Sequence, residues 1–257
     1  MKYIECCEYY KNNIIHNFSP AKKIDNFFTE EEIEILRLYQ FQNARTVKYQ
    51  ASSSNIQPLA SIPMLFRNEK WLRQKFLEIF GDFSGNHSGN YFISNQPHDA
   101  HLDLITEEEG APEDPYFDNV IPFKSVIIPL FLTKGAQAHT AFMHQRRIGY
   151  SVILDRDAEK SQDTAMYEIS RNYNNFIDIN GEFMDPEKDY GEWDPNKYPH
   201  ISENSFRGLS HETILEQDVG SILVFDACQV HASIVIDKEP WLKNAINVQF
   251  YKSYNED

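Results

Sequence analysis

The chain has 257 residues, of which 41% are hydrophobic and 14% aromatic, and its formal net charge is −15. This length and composition predict a single domain with one substantial core. The negative charge would repel phosphate backbones, and the sequence contains no basic stripe that could bind them. Nucleic acid is therefore not expected as a partner.

The N-terminal third contains two predicted helices. Thr29 and Glu32 have the spacing of a capping box, in which each side chain bonds the backbone N–H of the other residue. The apolar residues that follow predict a helix to about Gln42. A second helix, covering 71–80, should end at Gly81, because glycine commonly follows the last helical turn. We expect both helices to pack on the outer face of a sheet.

Segments rich in Val, Ile, Phe and Tyr, separated by turn residues, predict an antiparallel β-sandwich. They lie near 88–95, 120–132, 139–154, 219–226 and 230–251. Between 155 and 218 the pattern gives way to a polar excursion that contains several aromatic residues. Long loops of this kind are often lids or binding loops. The alternative is a decorated surface whose aromatic side chains anchor the loop to the core.

The sequence also bears on the location of the protein. Residues 1–18 carry charges and no unbroken apolar stretch, and the longest apolar run, near 126–132, is too short to cross a bilayer. We expect neither a signal peptide nor a membrane span. The three cysteines, Cys6, Cys7 and Cys228, form no disulfide framework and no paired zinc spacing. A reducing compartment, the cytoplasm, is the predicted location.

The triplet from His101 to Asp103, followed much later by His231, is the pattern with the most chemical content. On a β-strand, residues two apart point to the same face, so His101 and Asp103 can bind one ion while Leu102 turns away. A neighbouring strand carrying His231 would place two imidazoles and one carboxylate on one side of a metal. This set holds Fe(II) and leaves coordination positions open for a cosubstrate and oxygen. His101, Asp103 and His231 are therefore the predicted metal ligands and catalytic residues.

The segment 241–251 reads as a strand with a cation, Lys243, near its start. In these elements the chain resembles the Fe(II)/2-oxoglutarate-dependent dioxygenases, in their prolyl-hydroxylase-like and phytanoyl-CoA-hydroxylase-like branch. The resemblance implies a mainly β fold with flanking helices, the double-stranded β-helix or cupin-like jelly roll. It also implies one domain over 1–257, with a mainly helical part at 1–87 and a β-helix core at 88–252. The excursion at 155–218 would be lid-like.

The resemblance further implies Fe(II) as cofactor and 2-oxoglutarate as cosubstrate. Lys243 would pair with the far carboxylate of 2-oxoglutarate, with Lys252 as an alternative cation. Tyr91 is a second candidate for cosubstrate binding. It lies an even number of residues before His101, so both side chains would point to the same face of a regular strand. A bulge at Pro97 would change the face to which Tyr91 points. Asn95 is a third candidate, although turn chemistry explains it equally well.

Other polar residues near the pattern have ordinary interpretations. His98 could replace His101 as a ligand, but Ala100 would then occupy the carboxylate position, so we interpret His98 as a loop histidine. Arg146 could bind a substrate carboxylate, and we interpret it as a surface arginine that makes ordinary ion pairs. His200 is interpreted as a loop histidine.

The predicted function is hydroxylation of a C–H bond of a small-molecule substrate by O₂, with release of succinate and CO₂. Related halogenases carry a small residue at the carboxylate position, so Asp103 favours hydroxylation or desaturation over halogenation. The alternatives are a non-redox cupin-like protein that binds a metal or a sugar, a cupin isomerase or zinc hydrolase with the same ligand types, and a peptidyl hydroxylase. The aromatic content of the excursion favours a compact ligand over a peptide.

Overall fold

The computed structural model describes residues 15–43, 49–51, 56–58, 62–83, 87–103, 120–147, 152–157, 168–170, 173, 175–237 and 240–253. Cys6 and Cys7 lie outside these ranges. After a 3-10 turn at Ile15–Asn17, the helices within them are α1 Glu30–Asn43, α2 Ile62–Asn68, α3 Lys70–Phe80 and α4 Glu203–Phe206. The strands are β1 Lys22–Ile24, β2 Tyr49–Ala51, β3 Ile56–Pro58, β4 His87–Ser94, β5 His101–Leu102, β6 Val120–Leu132, β7 His139–Arg147, β8 Val152–Leu154, β9 Glu168–Ser170, β10 Phe176–Ile177, β11 His211–Glu216, β12 Ile222–Asp226, β13 Gln229–Ile234 and β14 Lys243–Ser253.

The predicted start of α1 and the predicted end of α3 are confirmed. The Thr29 N–H donates to Glu32 Oε2 over 2.8 Å, and the Glu32 N–H donates to Thr29 Oγ1 over 3.2 Å, which is the reciprocal pattern of a capping box. At the end of α3, the Gly81 N–H donates to Leu77 O over 2.9 Å. Gly81 has a φ of 67°, a conformation that glycine adopts without the steric cost of a Cβ atom.

Two sheets form the body of the molecule. The first has the strand order β1-β12-β6-β14-β4 and is antiparallel throughout. The second has the order β10-β7-β13-β5-β8-β9, with β11 also paired to β7. From β4 to β7, and again from β11 to β14, successive strands alternate between the two sheets. This winding is that of a double-stranded β-helix, so the predicted fold class is confirmed.

The first sheet separates two layers of apolar side chains. On β12, Ile222 and Val224 pack with the helices in an outer cluster, while Leu223 and Phe225 face the second sheet. The rings of Phe225 and Phe142, which lies on β7, are 4.9 Å apart between centroids. The period of two along a strand produces this division. The helices therefore lie on the outer face of a sheet, as predicted.

The excursion packs on the outer face of the second sheet. Buried residues of the excursion share one cluster with buried residues of β5, β7 and β13: Leu102, Ala141, Met143, Tyr173, Phe176, Tyr198, Phe206, Val230 and Ala232. The strand members of this cluster alternate with His101, Phe142 and His231, so they point away from the first sheet. The aromatic side chains of the described part thus anchor the excursion to the core, and its function as a lid stays a prediction.

Two predicted boundaries differ from the structure. The predicted excursion runs to 218, but β11 lies within it and pairs with β7, so the irregular part ends before His211. The predicted strand at 230–251 is divided into β13 and β14, which belong to different sheets. None of the helices in the described ranges is long and apolar enough to cross a membrane.

A buried ion-pair network connects the two sheets. Arg146 on β7 has no exposed side-chain surface, and its Nε lies 2.7 Å from Oδ2 of Asp226 on β12, which is also fully buried. Arg146 Nη2 lies 3.0 Å from Glu212 Oε1, and Lys124 also pairs with Asp226. The interpretation of Arg146 as a surface arginine is therefore wrong. Its partners come from strands far along the chain, which local sequence does not reveal.

Replacing Arg146 with Met should lower the free energy of unfolding by roughly 3–5 kcal/mol, because one partner of a buried ion pair would be removed. Urea denaturation followed by circular dichroism measures the change. Arg207→Met is the control, since Arg207 is exposed and exposed substitutions usually change stability by less than about 0.5 kcal/mol. Equal effects of the two changes would contradict a structural role for the network.

Candidate metal centre

His101, Asp103 and His231 converge on the inner face of the second sheet. His101 on β5 and His231 on β13 are paired residues of neighbouring strands, with ring centroids 4.2 Å apart. Asp103 follows β5, and its Oδ1 and Oδ2 lie 3.5 Å from His101 Nε2 and 3.4 Å from His231 Nε2. One possible ligand atom from each residue lies within 4.8 Å of the others. The structure thus brings the three predicted ligands together, and metal binding by them stays a prediction.

Backbone carbonyls orient both imidazoles. His101 Nδ1 lies 2.6 Å from Asp99 O, and His231 Nδ1 lies 3.1 Å from Gln229 O. Because a carbonyl oxygen only accepts, each Nδ1 carries a proton and donates it, which leaves Nε2 facing the shared centre. Metal-ligating histidines are commonly held in this way. Two such nitrogens and one carboxylate fit a divalent transition metal.

The electrostatics of the triad favour a cation at its centre. Burial alone would raise the pKa of Asp103, but the imidazoles of His231 and His101 outweigh it and hold this pKa well below its ordinary value. Burial lowers the pKa of His231, and the charge of His101 lowers it further. Burial also acts to lower the pKa of His101, but Asp103 raises it overall. A proton on His101 or a bound metal ion supplies the positive charge that this arrangement requires.

Lys243 is a buried cation on the opposite side of the same cavity. It lies on the strand that follows His231 along the chain, but that strand belongs to the first sheet. The residue is 5% exposed, and its Nζ lies 5.2 Å from the centre of the Phe92 ring. Burial lowers its pKa to about 8, and no carboxylate in the described part of the chain pairs with it. An anion entering the cavity would offset the cost of burying this charge.

The cavity also contains polar residues that the sequence reasoning missed. Thr140 and Ser233 are cross-strand partners on β7 and β13, and Gln217 Nε2 donates to Thr140 Oγ1 over 2.7 Å. Within the described ranges, the cavity is lined by Phe92, His98, His101, Asp103, Ile127, Thr140, Gln217, His231, Ser233, Lys243 and Asn247. The sequence could have predicted Ser233, because it lies two residues after His231 and therefore points to the same face of the strand. Hydroxyl groups near a lysine suit a carboxylate ligand.

Tyr91 and Asn95 lie outside this cavity. The Tyr91 side chain packs in the outer cluster, and its hydroxyl donates to a backbone carbonyl of α1 over 3.2 Å. The Asn95 side chain is exposed. The prediction for Tyr91 assumed a continuous strand, but β4 ends at Ser94 and His101 opens a strand of the other sheet. Phe92 faces the cavity instead, so neither cosubstrate-binding prediction has geometric support.

His98 lies in the loop between β4 and β5, as interpreted from the sequence, and it is not part of the His101, Asp103 and His231 group. His98 lines the cavity, with its ring centroid 5.7 Å from that of His101, and its backbone carbonyl accepts hydrogen bonds from the excursion residue His200 and from β13. His98 is therefore a loop histidine that also lines the cavity. The alternative cation, Lys252, donates to Asn17 Oδ1 over 2.9 Å and does not line the cavity.

Comparison with solved structures gives matches that cover nearly the whole chain. EvdO2 from Micromonospora carbonacea var. aurantiaca matches with a TM-score of 0.45 and 12% identity, over 98% of this chain and 93% of that chain. A Pseudomonas putida prolyl-4-hydroxylase matches with a TM-score of 0.42 and 8% identity, over 98% and 100%. The non-heme alpha ketoglutarate dependent epimerase SnoN from nogalamycin biosynthesis matches with a TM-score of 0.48 and 8% identity, over 98% and 83%. No protein-family model and no curated protein sequence matches the chain.

The fold is a double-stranded β-helix. Its strands alternate between two sheets. Identities and TM-scores as low as these transfer no activity, so any functional conclusion rests on the geometry of the cavity.

His231→Ala should weaken the binding of Co(II), used as a redox-stable probe, by more than about 100-fold. Loss of an outer-shell partner alone typically costs 10–100-fold in metal affinity, and a direct ligand contributes more. The measurement is anaerobic titration followed by visible absorption. His144→Ala, at an exposed position of β7, should bind Co(II) like the unmodified protein. Unchanged binding in His231→Ala would remove this residue from the metal centre.

Proposed function

We propose that this chain is an Fe(II)- and 2-oxoglutarate-dependent oxygenase that hydroxylates a C–H bond of a small molecule. The observation that carries the proposal is a single cavity that joins a two-histidine, one-carboxylate triad to a buried lysine. The triad by itself would fit several metalloproteins. Lys243 is a buried cation without a carboxylate partner in the described part of the chain. It therefore favours a ligand that carries an anionic group at a fixed distance from the metal.

Each residue has a role in the overall reaction, in which the substrate C–H, O₂ and 2-oxoglutarate give the alcohol, succinate and CO₂. His101, Asp103 and His231 hold the metal from one side, and bound Fe(II) supplies the oxygen-activating chemistry. Lys243 pairs with the far carboxylate of 2-oxoglutarate. Phe92 provides an apolar wall of the cavity, which excludes water and strengthens the lysine–carboxylate interaction.

The alternatives use less of the observed geometry. A non-redox cupin-like protein or a zinc hydrolase would use the triad, but neither needs Lys243 in the same cavity. A peptidyl hydroxylase would need an open groove for the main chain of its substrate. The side chains of His101, Asp103 and His231 are only 13%, 4% and 4% exposed, and this enclosure favours a compact substrate. The cytoplasmic location stays a prediction from the cysteine content.

The affinity for 2-oxoglutarate should fall as the pH rises above about 8. The pKa of Lys243 is lowered to about 8, and a bound carboxylate raises it again, so binding at higher pH requires proton uptake and weakens up to about tenfold per pH unit. Among the other groups facing the cavity, burial and the charge of Lys243 hold the pKa of His98 well below its ordinary value, and in the metal-loaded protein the remaining imidazoles are ligands.

Calorimetric titration of the metal-loaded protein between about pH 7 and pH 9.5 measures this dependence, because that range covers lysine titration around the lowered value. The control is Lys243→Arg, whose guanidinium stays charged throughout, so that its affinity should be independent of pH. Lys243→Met should lose most of the affinity at every pH while still binding metal. A Lys243→Met variant with normal affinity would transfer the anchoring role to another residue.

The decisive experiment is anaerobic addition of Fe(II) and then 2-oxoglutarate to the metal-free protein. A weak visible charge-transfer band should appear when the keto acid chelates the iron, and His231→Ala should lack it. Succinate should then form when oxygen and a substrate are supplied, and Asp103→Ala should form none. Metal binding without the band and without succinate would favour the cupin-like or hydrolase alternatives.

A further inference from the structure

Strand β14 separates two sets of side chains with different tasks. Lys243, Asn247 and Gln249 share the face that looks into the site, because they are separated by even numbers of residues. The alternate face carries Asn244, which exchanges hydrogen bonds with Gln40 of α1. Strand β14 therefore holds two asparagines three residues apart, one directed to the metal centre and one to the helices.

Asn247 contacts the carboxylate of the triad directly. Its Nδ2 donates to Asp103 Oδ2 over 2.5 Å, and Gln249 Nε2 donates to the backbone carbonyl of Asp103. A carboxylate that ligates a metal is deprotonated and therefore only accepts hydrogen bonds. The amide nitrogen of Asn247 must then face Asp103, which fixes the direction of its carbonyl oxygen.

The side-chain carbonyl oxygen of Asn247 is at the other end of the amide from Asp103. This oxygen, Oδ1, is buried, and within the described ranges it has no hydrogen-bond partner. A buried carbonyl without a partner costs free energy, so this orientation is maintained by the bond to Asp103. Asn247 also lines the cavity that contains the triad.

We propose that Asn247 is a positioning residue that limits Asp103 to one metal-ligating oxygen. The inference rests on the proposed function. The hydrogen bond engages Oδ2, which also lies 3.4 Å from His231 Nε2, and leaves Oδ1, 3.5 Å from His101 Nε2, as the carboxylate oxygen without an amide donor in the described residues and so the expected ligand atom. A carboxylate that used both oxygens would fill one more coordination position, and the site would lose room for a chelating keto acid and oxygen. Asn247 thus preserves the open side of the triad, while Lys243 on the same strand face anchors the ligand that enters there.

The test compares Asn247→Leu with Asn244→Leu, which removes the same amide from the other face of the same strand. Co(II) alone is the first probe, because its visible absorption bands respond to coordination number. In Asn247→Leu the bands should shift. The affinity of the Co(II)-loaded protein for 2-oxoglutarate should fall by about tenfold or more, comparable to the loss of metal affinity or activity when an outer-shell partner is removed. Asn244→Leu should match the unmodified protein in both measurements.

Thermal unfolding shows whether each variant folds, and Asn247→Ala replaces Asn247→Leu where the larger side chain prevents folding. An unchanged spectrum and an unchanged 2-oxoglutarate affinity in the Asn247 variant would overturn the positioning role and leave the proposed function standing. Equal changes in both asparagine variants would also overturn it, because the effect would then be general to the strand. Failure of the unmodified protein to bind Co(II) through the triad would overturn both proposals.

Discussion

The contact between Asp103 and strand β14 is the interaction on which the organisation of the site depends. Asp103 follows a strand of the second sheet, and the amides of Asn247 and Gln249 reach it from the first sheet. These two hydrogen bonds connect the first sheet to Asp103 at the point where the imidazoles converge. Because Lys243 lies on the same face of β14, one strand contacts the proposed metal-ligating carboxylate and also carries the cation across the cavity.

The buried cations of the molecule belong to two classes. Arg146 and Lys124 are satisfied by Asp226, and Arg146 is also paired with Glu212. These pairs join the two sheets, and their charges are neutralised by the protein itself. Lys243 is equally buried, but within the described residues only desolvation acts on its pKa. A buried charge that the protein does not neutralise is expensive, which is why a ligand anion is the natural partner for this lysine.

The period of two along β-strands explains the layers around the site. In the first sheet, alternate residues reach the helices or the interior, and in the second sheet they reach the interior or the excursion. The excursion is tied to the outer face of the second sheet by aromatic packing, and its His200 bonds the carbonyl of His98 at the cavity. The proposed metal centre is therefore contacted from both sheets, and His101 and His231 lie on paired strands, which suits a site that needs precise ligand geometry.

Local sequence determined the features whose physics is local. The capping box of Thr29 and Glu32 and the stop at Gly81 were predictable because their bonds join residues within one helical turn. The proximity of His101 and Asp103 was predictable because residues two apart in extended chain point to the same side, and metal binding by them stays a prediction. The sequence did not determine which distant strands would meet. The face predicted for Tyr91 was wrong because the chain turns from one sheet to the other between Tyr91 and His101. Tertiary structure alone decides the burial of Arg146, the exposure of Asn95 and the contact of Asn247 with Asp103. Alternation specifies a face within a strand, but packing decides what that face meets.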